Sequence, residues 1–278
     1  MAVQERRELG THLEGSISDR ARTRFTRPGR RDNHAIMSIC SRNKHLIDTG
    51  DADADVLGQK GFNLVIFDCD GVLVDSEVLS CRCLVEVLGR YGVPISLGEA
   101  FDRFLGRSST AVEEYFLAIT GSPLPLEFHS ALYEYLSASY RSSLQLMPHI
   151  RAVLDAVDCA YCLASSSDAD RVRMTLAVTG LDRYFGERVY TAAMVAHGKP
   201  APDLFLLAAA KMRGCAAETL VIEDSVNGVV AGKAAGMTVW GFTGGSHYVD
   251  RDGSRLLSDA GADRVFNSMA DLLPDRKA

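Results

Sequence analysis

Short apolar runs that alternate with amphipathic stretches constrain the fold of this chain more than any other feature. The first run, Phe62–Phe67, is short, apolar and followed at once by acids, which is typical of a strand buried on both faces. Strands that alternate with helices predict a parallel sheet covered on both sides. The other predicted strands are Tyr161–Ala164, Leu220–Ile222 and Thr238–Gly241, with weaker candidates at Arg188–Thr191 and Arg264–Phe266, and the predicted helices are 149–157, 168–178, 202–213 and 225–235.

One segment interrupts the alternation. Residues 78–146 contain no convincing strand but at least three helical stretches, in which Tyr115, Phe116 and Ile119 share a face, as do Leu132 and Tyr140 with their neighbours. The prediction is an α/β fold: a doubly wound parallel sheet, formed by residues 61–77 and 147–278, with a helical cap at 78–146. Residues 1–60 mix arginines with acids without a lasting period, so we expect a disordered tail.

Bulk properties narrow the possible partners. The formal net charge is −6, whereas a nucleic-acid-binding protein needs a basic bias. No apolar run approaches the roughly 20 residues that span a bilayer. We therefore expect neither a nucleic-acid nor a membrane partner, and a monomer by default. Seven scattered cysteines favour buried thiols over a disulfide framework or a zinc site, which predicts a reducing, cytoplasmic compartment.

Four acids follow two of the predicted strands. Asp68 and Asp70 come directly after the first strand, with Gly71 allowing a tight turn, and Glu223 and Asp224 follow Leu220–Ile222. Ligands of open parallel sheets bind beyond the carboxyl ends of the strands. So dense a negative cluster needs a cation, and oxygen ligands of this kind favour Mg²⁺.

Three further polar residues lie at the same predicted edge. Ser165 and Ser166 end the strand Tyr161–Ala164, just before a helix whose N-terminus would favour an anion. Serines in this place act as plain helix caps equally often. Lys199 precedes a helix that starts near Asp203, and a single lysine there is usually only a surface residue.

Taken together, the ordered set of Asp-x-Asp-Gly, strand-end Ser, Lys-Pro and Glu-Asp-Ser resembles the four motifs of the haloacid dehalogenase-like superfamily. The resemblance covers about residues 62–270 and is to the branch with a helical cap, which contains β-phosphoglucomutase and small sugar-phosphate phosphatases. It implies a phosphatase with a nucleophile at Asp68 and a general acid and base at Asp70. It also implies that phosphate is bound by Ser165, Ser166 and Lys199, and Mg²⁺ by Asp68, the backbone carbonyl of Asp70 and Asp224, with Glu223 adjacent or ligating.

The reaction within this family depends on a few positions. Asp70 favours transfer of a phosphoryl group from oxygen, because dehalogenases and phosphonate hydrolases lack an acid there. The β-phosphoglucomutases carry a histidine twelve positions after the nucleophile and a cap lysine, whereas this chain has Ser80 and no lysine in 78–147. The prediction is a hydrolase of a sugar phosphate or sugar-acid phosphate, with Arg107 as the cap residue that binds substrate. A mutase is the alternative, and an inactive binding protein a remote one.

Overall fold

The computed structural model describes residues 61–107 and 109–273, so the predicted tail lies outside the described residues. Six strands form one sheet in the order β3-β2-β1-β4-β5-β6, and every neighbouring pair is parallel. This confirms the predicted doubly wound sheet, including the two weaker strands. The strands are β1 Leu64–Phe67, β2 Ala160–Ser165, β3 Val189–Thr191, β4 Thr219–Glu223, β5 Thr238–Phe242 and β6 Arg264–Phe266.

The strand register decides where the functional residues meet. Phe67 at the end of β1 pairs with Leu163 of β2 on one side and with Ile222 of β4 on the other. The residues that follow these three therefore leave the sheet at one level. The chain changes direction across the sheet between β1 and β4, and a crevice opens for ligands at such a switch point.

Helices cover both faces of the sheet because the side chains of β1 alternate between them. Val65 and Phe67 pack into one apolar cluster and Leu64 and Ile66 into the other. The helices are numbered from the first one after β1. The first face is covered by α5 (Ile150–Ala156), α6 (Ala169–Thr179) and α7 (Asp182–Phe185). The second face is covered by α8 (Asp203–Lys211), α9 (Val226–Ala234) and α10 (Gly253–Asp259).

Of the five helices described between β1 and β2, the first four form the cap: α1 (Glu77–Arg90), α2 (Leu97–Phe104), α3 (Thr110–Thr120) and α4 (Leu126–Ser143). They share an apolar cluster that includes Val87, Phe116 and Phe128. A helical insertion is thus confirmed, while its predicted bounds of 78–146 stay a prediction. Ile119, which we grouped with Phe116, is instead exposed, and Tyr140 near the end of α4 packs into the core of the sheet.

The cysteines largely behave as predicted. Cys69, Cys81, Cys83 and Cys162 are buried free thiols, and Cys159 is a half-buried one. None of the helices in the described ranges has the length and apolarity that a membrane span requires.

Two leucines on α8 test how the sheet is covered. Leu204 is fully buried against the sheet, whereas Leu206 is 45% exposed. Leu204→Ala should lower the free energy of unfolding by about 2–5 kcal/mol, because it removes buried methyl groups and leaves a cavity. Leu206→Ala, the same change on the same helix, should have little effect. Urea denaturation measures both, and equal losses would mean that α8 does not present this face to the sheet.

Candidate active site

The loop after β1 brings its backbone against the end of β4. Gly71 has a φ of +77°, and its N–H donates to the carbonyl of Val74 at 2.8 Å. A Cβ at this position would overlap the carboxylate of Asp224. Only glycine therefore allows the tight turn and the close approach together. The turn leaves Asp68 and Asp70 buried beside Asp224.

Lys199 is buried between two of the acids. Its Nζ donates to Oδ1 of Asp68 at 2.5 Å, to Oε1 of Glu223 at 2.6 Å and to the carbonyl of Ala164 at 3.1 Å, so all three ammonium protons are used. Burial alone would lower the pKa of Lys199, but the charges of Asp68 and Glu223 raise it above its ordinary value. The lysine is therefore a permanent cation at the end of β1.

Glu223 has both carboxylate oxygens occupied. Oε1 accepts from Lys199, and Oε2 accepts from the backbone N–H of Ser225 at 2.7 Å and from its hydroxyl at 3.0 Å. Ser225 caps α9 by accepting from the N–H of Gly228 at 3.0 Å. A Cβ on Gly228 would overlap the Glu223 carboxyl group. The start of α9 thus fixes Glu223, which in turn fixes the lysine.

Among the four acids, Asp224 has the fewest partners that offset its negative charge. Its side chain is only 5% exposed, and none of the described groups donates a hydrogen bond to it. Nε2 of His247 lies 3.2 Å from Oδ2, but burial lowers the pKa of His247 to about 4, so the ring is neutral. Burial, together with the charges of Glu223, Glu77 and Asp68, raises the pKa of Asp224 well above its ordinary value.

Asp70 faces a different set of partners. Its carboxylate accepts from Ser76 Oγ at 2.5 Å, from Ser167 Oγ at 2.7 Å and from Nη2 of Arg171 at 3.0 Å. Burial alone would raise the pKa of Asp70, but the charge of Arg171 and the three hydrogen bonds together lower it. Three donors therefore hold the carboxyl group of Asp70 in this arrangement.

All predicted site residues line one cavity of about 550 Å³ between the strand ends and the cap. Ser165 is buried and accepts from the backbone N–H of Ser167 at 3.0 Å, beside the N-terminus of α6, where Asp168 is the cap. Ser166 lies half-buried at the wall, and Arg107 reaches the cavity from the exposed loop after α2. The deeper cap wall is apolar and includes Leu84, Phe104, Val112, Phe128, Leu132 and Leu136.

Sequence reasoning missed two site residues. Arg171 binds Asp70, yet in the sequence nothing distinguishes it from the exposed Arg173 two residues later on the same helix. The other is His247: a single histidine in a loop is usually a surface residue, but His247 is buried next to Asp224. His197, by contrast, is exposed.

The carboxylate oxygens that accept no hydrogen bond from the described residues fit a magnesium ion. In the described part of the chain, no group of three or more Asp, Glu, His or Cys side chains is arranged as a ready set of metal ligands. Both oxygens of Asp70 and both oxygens of Glu223 accept hydrogen bonds, which leaves Oδ2 of Asp68 and the carboxylate of Asp224. Mg²⁺ commonly uses only one or two carboxylates and fills its other positions with waters and phosphate oxygens. The buried, uncompensated carboxylate of Asp224 is a suitable donor for such a cation.

Comparison with known proteins agrees with this arrangement. Residues 62–236 match the sequence model of the haloacid dehalogenase-like hydrolases. The 6-phosphogluconate phosphatase of Escherichia coli K12 is 27% identical over 66% of this chain and 83% of its own length. The fructose-1-phosphate phosphatase of the same organism is 29% identical over 62% of this chain and 92% of its own length. A crystal structure of a HAD family hydrolase from Deinococcus radiodurans R1, with bound phosphate and sodium, has a TM-score of 0.61 and 33% identity, covering 76% of this chain and 93% of that one.

Two helical glycines test whether the start of α9 holds Glu223 in place. An alanine at Gly89 meets open space, so Gly89→Ala should raise the free energy of unfolding by up to about 1 kcal/mol through helix propensity. Gly228→Ala has the same propensity gain but displaces the buried Glu223 from Lys199, so it should destabilise the protein. Thermal or urea denaturation compares the two variants. A stabilising Gly228→Ala would show that Glu223 can move aside at no cost.

Proposed function

The chain belongs to the haloacid dehalogenase-like hydrolase family, and we propose that it hydrolyses a sugar phosphate or sugar-acid phosphate through an aspartyl-phosphate on Asp68. One observation carries the proposal. The carboxylate of Asp68 lies at the cavity wall against the buried ammonium of Lys199, two residues from a second carboxylate that is held by separate donors. That is the arrangement which attack on a phosphate dianion requires, because the nucleophile needs an opposing charge at hand.

In the first step an oxygen of Asp68 attacks phosphorus, and the bond from phosphorus to the leaving oxygen breaks. The charge of the bound phosphate favours a proton on Asp70. Asp70 gives this proton to the leaving oxygen, so the product leaves as a neutral alcohol. Lys199 exchanges its hydrogen bond to Asp68 for one to a phosphoryl oxygen, and Ser165 and Ser166 bind phosphoryl oxygens beside the N-terminus of α6. In the second step Asp70, now a carboxylate, takes a proton from water. The water oxygen attacks phosphorus, and Asp68 is released with inorganic phosphate.

The proposed metal ligands are Asp68, the backbone carbonyl of Asp70 and Asp224. When bound there, Mg²⁺ would offset the charge of the phosphoryl group and of the crowded carboxylates. In this proposal Glu223 is not a metal ligand, because its two oxygens hold Lys199 and the start of α9. Glu223 therefore sets the position of the phosphate-binding ammonium.

The proposed substrate class rests on the cavity and on the relatives. A cavity of about 550 Å³ is large enough for a small phosphorylated metabolite. Two relatives are named for 6-phosphogluconate and for fructose 1-phosphate. Arg107, at the mouth of the cavity, is the proposed cap residue for substrate binding. A monomeric, cytoplasmic enzyme remains a prediction.

A mutase is the second candidate, and the environment of Ser80 argues against it. Its hydroxyl donates to the carbonyl of Ser76 at 2.7 Å, accepts from Arg171 at 2.8 Å and lies 2.8 Å from the hydroxyl of Tyr140. This hydroxyl is held within a fixed network, and it has no ionisable group to take the part of the histidine that mutases carry. We therefore favour water as the acceptor of the phosphoryl group.

The first test is phosphate release from a panel of sugar phosphates, with p-nitrophenyl phosphate included. The wild type with Mg²⁺ should release inorganic phosphate from one or a few members. Asp68→Asn should abolish turnover, since an amide is a poor nucleophile, while Asp155→Asn, the same change at an exposed position on α5, should not. Turnover by Asp68→Asn would remove this residue from the role of nucleophile. Conversion of β-glucose 1-phosphate to the 6-phosphate, with 1,6-bisphosphate present and little release, would make the enzyme a mutase.

The metal proposal has a test that is independent of turnover. Adding MgCl₂ should raise the unfolding temperature of the wild type, because a ligand that binds the folded state stabilises it. Asp224→Asn should lose most of this shift, and Asp155→Asn should keep it. Chelation should also stop phosphate release. An equal shift in all three proteins would contradict a magnesium site at Asp224.

A further inference from the structure

Arg171 is a cation in the cavity wall, and it has no role in the reaction as proposed above. It lies in the first turn of α6, and its side chain is only 21% exposed. Nη2 donates both to Oδ1 of Asp70 at 3.0 Å and to Oγ of Ser80 at 2.8 Å. The guanidinium also lies over the ring of Tyr140, 5.8 Å from its centroid. Three separate segments of the chain thus converge on one side chain.

A buried ion pair of this kind is a poor way to stabilise a fold. Removing two charges from water costs several kcal/mol, and apolar side chains of the same size often stabilise a protein equally well. Here the Nε–H of Arg171 is also buried and has no hydrogen-bond partner within the described ranges. The arrangement therefore costs free energy of folding, which favours a role for Arg171 beyond packing.

The partners of Arg171 belong to the cap as well as to the core. Ser80 lies on α1 and Tyr140 on α4, the two cap helices next to the core, while Arg171 itself comes from α6 on the sheet. The hydroxyl of Ser80 bonds to Tyr140 at 2.8 Å, so Arg171 is braced from the cap side. The brace supports the guanidinium in the orientation in which Nη2 donates to Asp70.

We propose that Arg171 is the positioning residue for Asp70, holding its carboxyl group in place for the two proton transfers. The inference rests on the proposed role of Asp70 as acid and base. When Asp70 gives its proton to the leaving oxygen it becomes a carboxylate, and Arg171, Ser76 and Ser167 are placed to stabilise that product. The same contacts then hold the carboxylate ready to accept a proton from water.

The proposal predicts an effect that depends on the leaving group. An alkyl phosphate such as a sugar phosphate needs its leaving oxygen protonated, whereas p-nitrophenolate leaves without a proton. The value of kcat/KM reports the first step, in which this proton is given. Loss of Arg171 should therefore lower kcat/KM for an alkyl phosphate far more than for p-nitrophenyl phosphate. A purely structural residue would lower both by the same factor.

The experiment compares Arg171→Met, Arg171→Lys and the wild type, using p-nitrophenyl phosphate and the alkyl phosphate of the panel with the highest wild-type kcat/KM. For Arg171→Met we expect about a 100-fold loss with the alkyl phosphate, which is the contribution of a positioned general acid, and a small loss with p-nitrophenyl phosphate. Arg171→Lys keeps a positive charge near Asp70 and should recover part of the difference. Arg173→Met is the matched control, because Arg173 lies on the same helix but is 73% exposed.

The outcomes separate the inference from the proposed function. If the wild type turns over neither substrate, the proposed phosphatase itself fails. If the wild type is active and both Arg171 variants lose the same factor with both substrates, or lose nothing, then Arg171 does not act through Asp70. Unfolding temperatures show whether Arg171→Met is folded. If it is not, Arg171→Lys decides, since its loss must still be larger with the alkyl phosphate.

Discussion

The site depends first on the buried ammonium of Lys199. Asp68 and Glu223 end two adjacent strands, and without a cation between them their carboxylates would repel each other inside the protein. Lys199 reaches this position from the segment before α8 and also bonds to the end of β2. One side chain thus joins the ends of three strands. The nucleophile proposed at Asp68 is held by this contact, and any movement of β4 or of α9 would be transmitted to it through Glu223.

The four acids at this edge are distinguished by what compensates each of them. Lys199 lies between Asp68 and Glu223, Arg171 binds Asp70, and Asp224 has a neutral histidine beside it. Identical carboxyl groups thereby gain different properties. Asp68 faces the proposed phosphate site and Asp70 is held by hydrogen-bond donors. Glu223 only orients a lysine, and Asp224 lacks a counter-charge. The last fits a magnesium ion. The distribution of cations, rather than the number of acids, divides the proposed roles.

Sequence patterns predicted the sheet because its strands are buried on both faces, so Leu64–Phe67 and Thr219–Glu223 appear as apolar runs that end in acids. The motif residues could also be placed at one edge, since parallel strands end on the same side. The orientation of these side chains could not be predicted, because it depends on contacts between segments that are distant in the sequence. The sequence left Glu223 either adjacent to the metal or a ligand of it, and it could not predict that one oxygen accepts from Lys199 and the other from the N-terminus of α9. The burial of His247 beside Asp224 could not be predicted for the same reason.

Arg171 and Arg173 show this limit most clearly, and they also indicate what the cap contributes. Both lie on α6, two residues apart, and helix geometry turns one into the cavity and the other into solvent. What makes Arg171 a site residue is the presence of Ser80 and Tyr140 on the cap helices opposite. Without a hydrogen-bond acceptor at position 80, Nη2 of the guanidinium would lose one of its two bonds and keep the bond to Asp70. The cap therefore does more than cover the cavity, since its first helix completes the environment of the residue that we propose as acid and base.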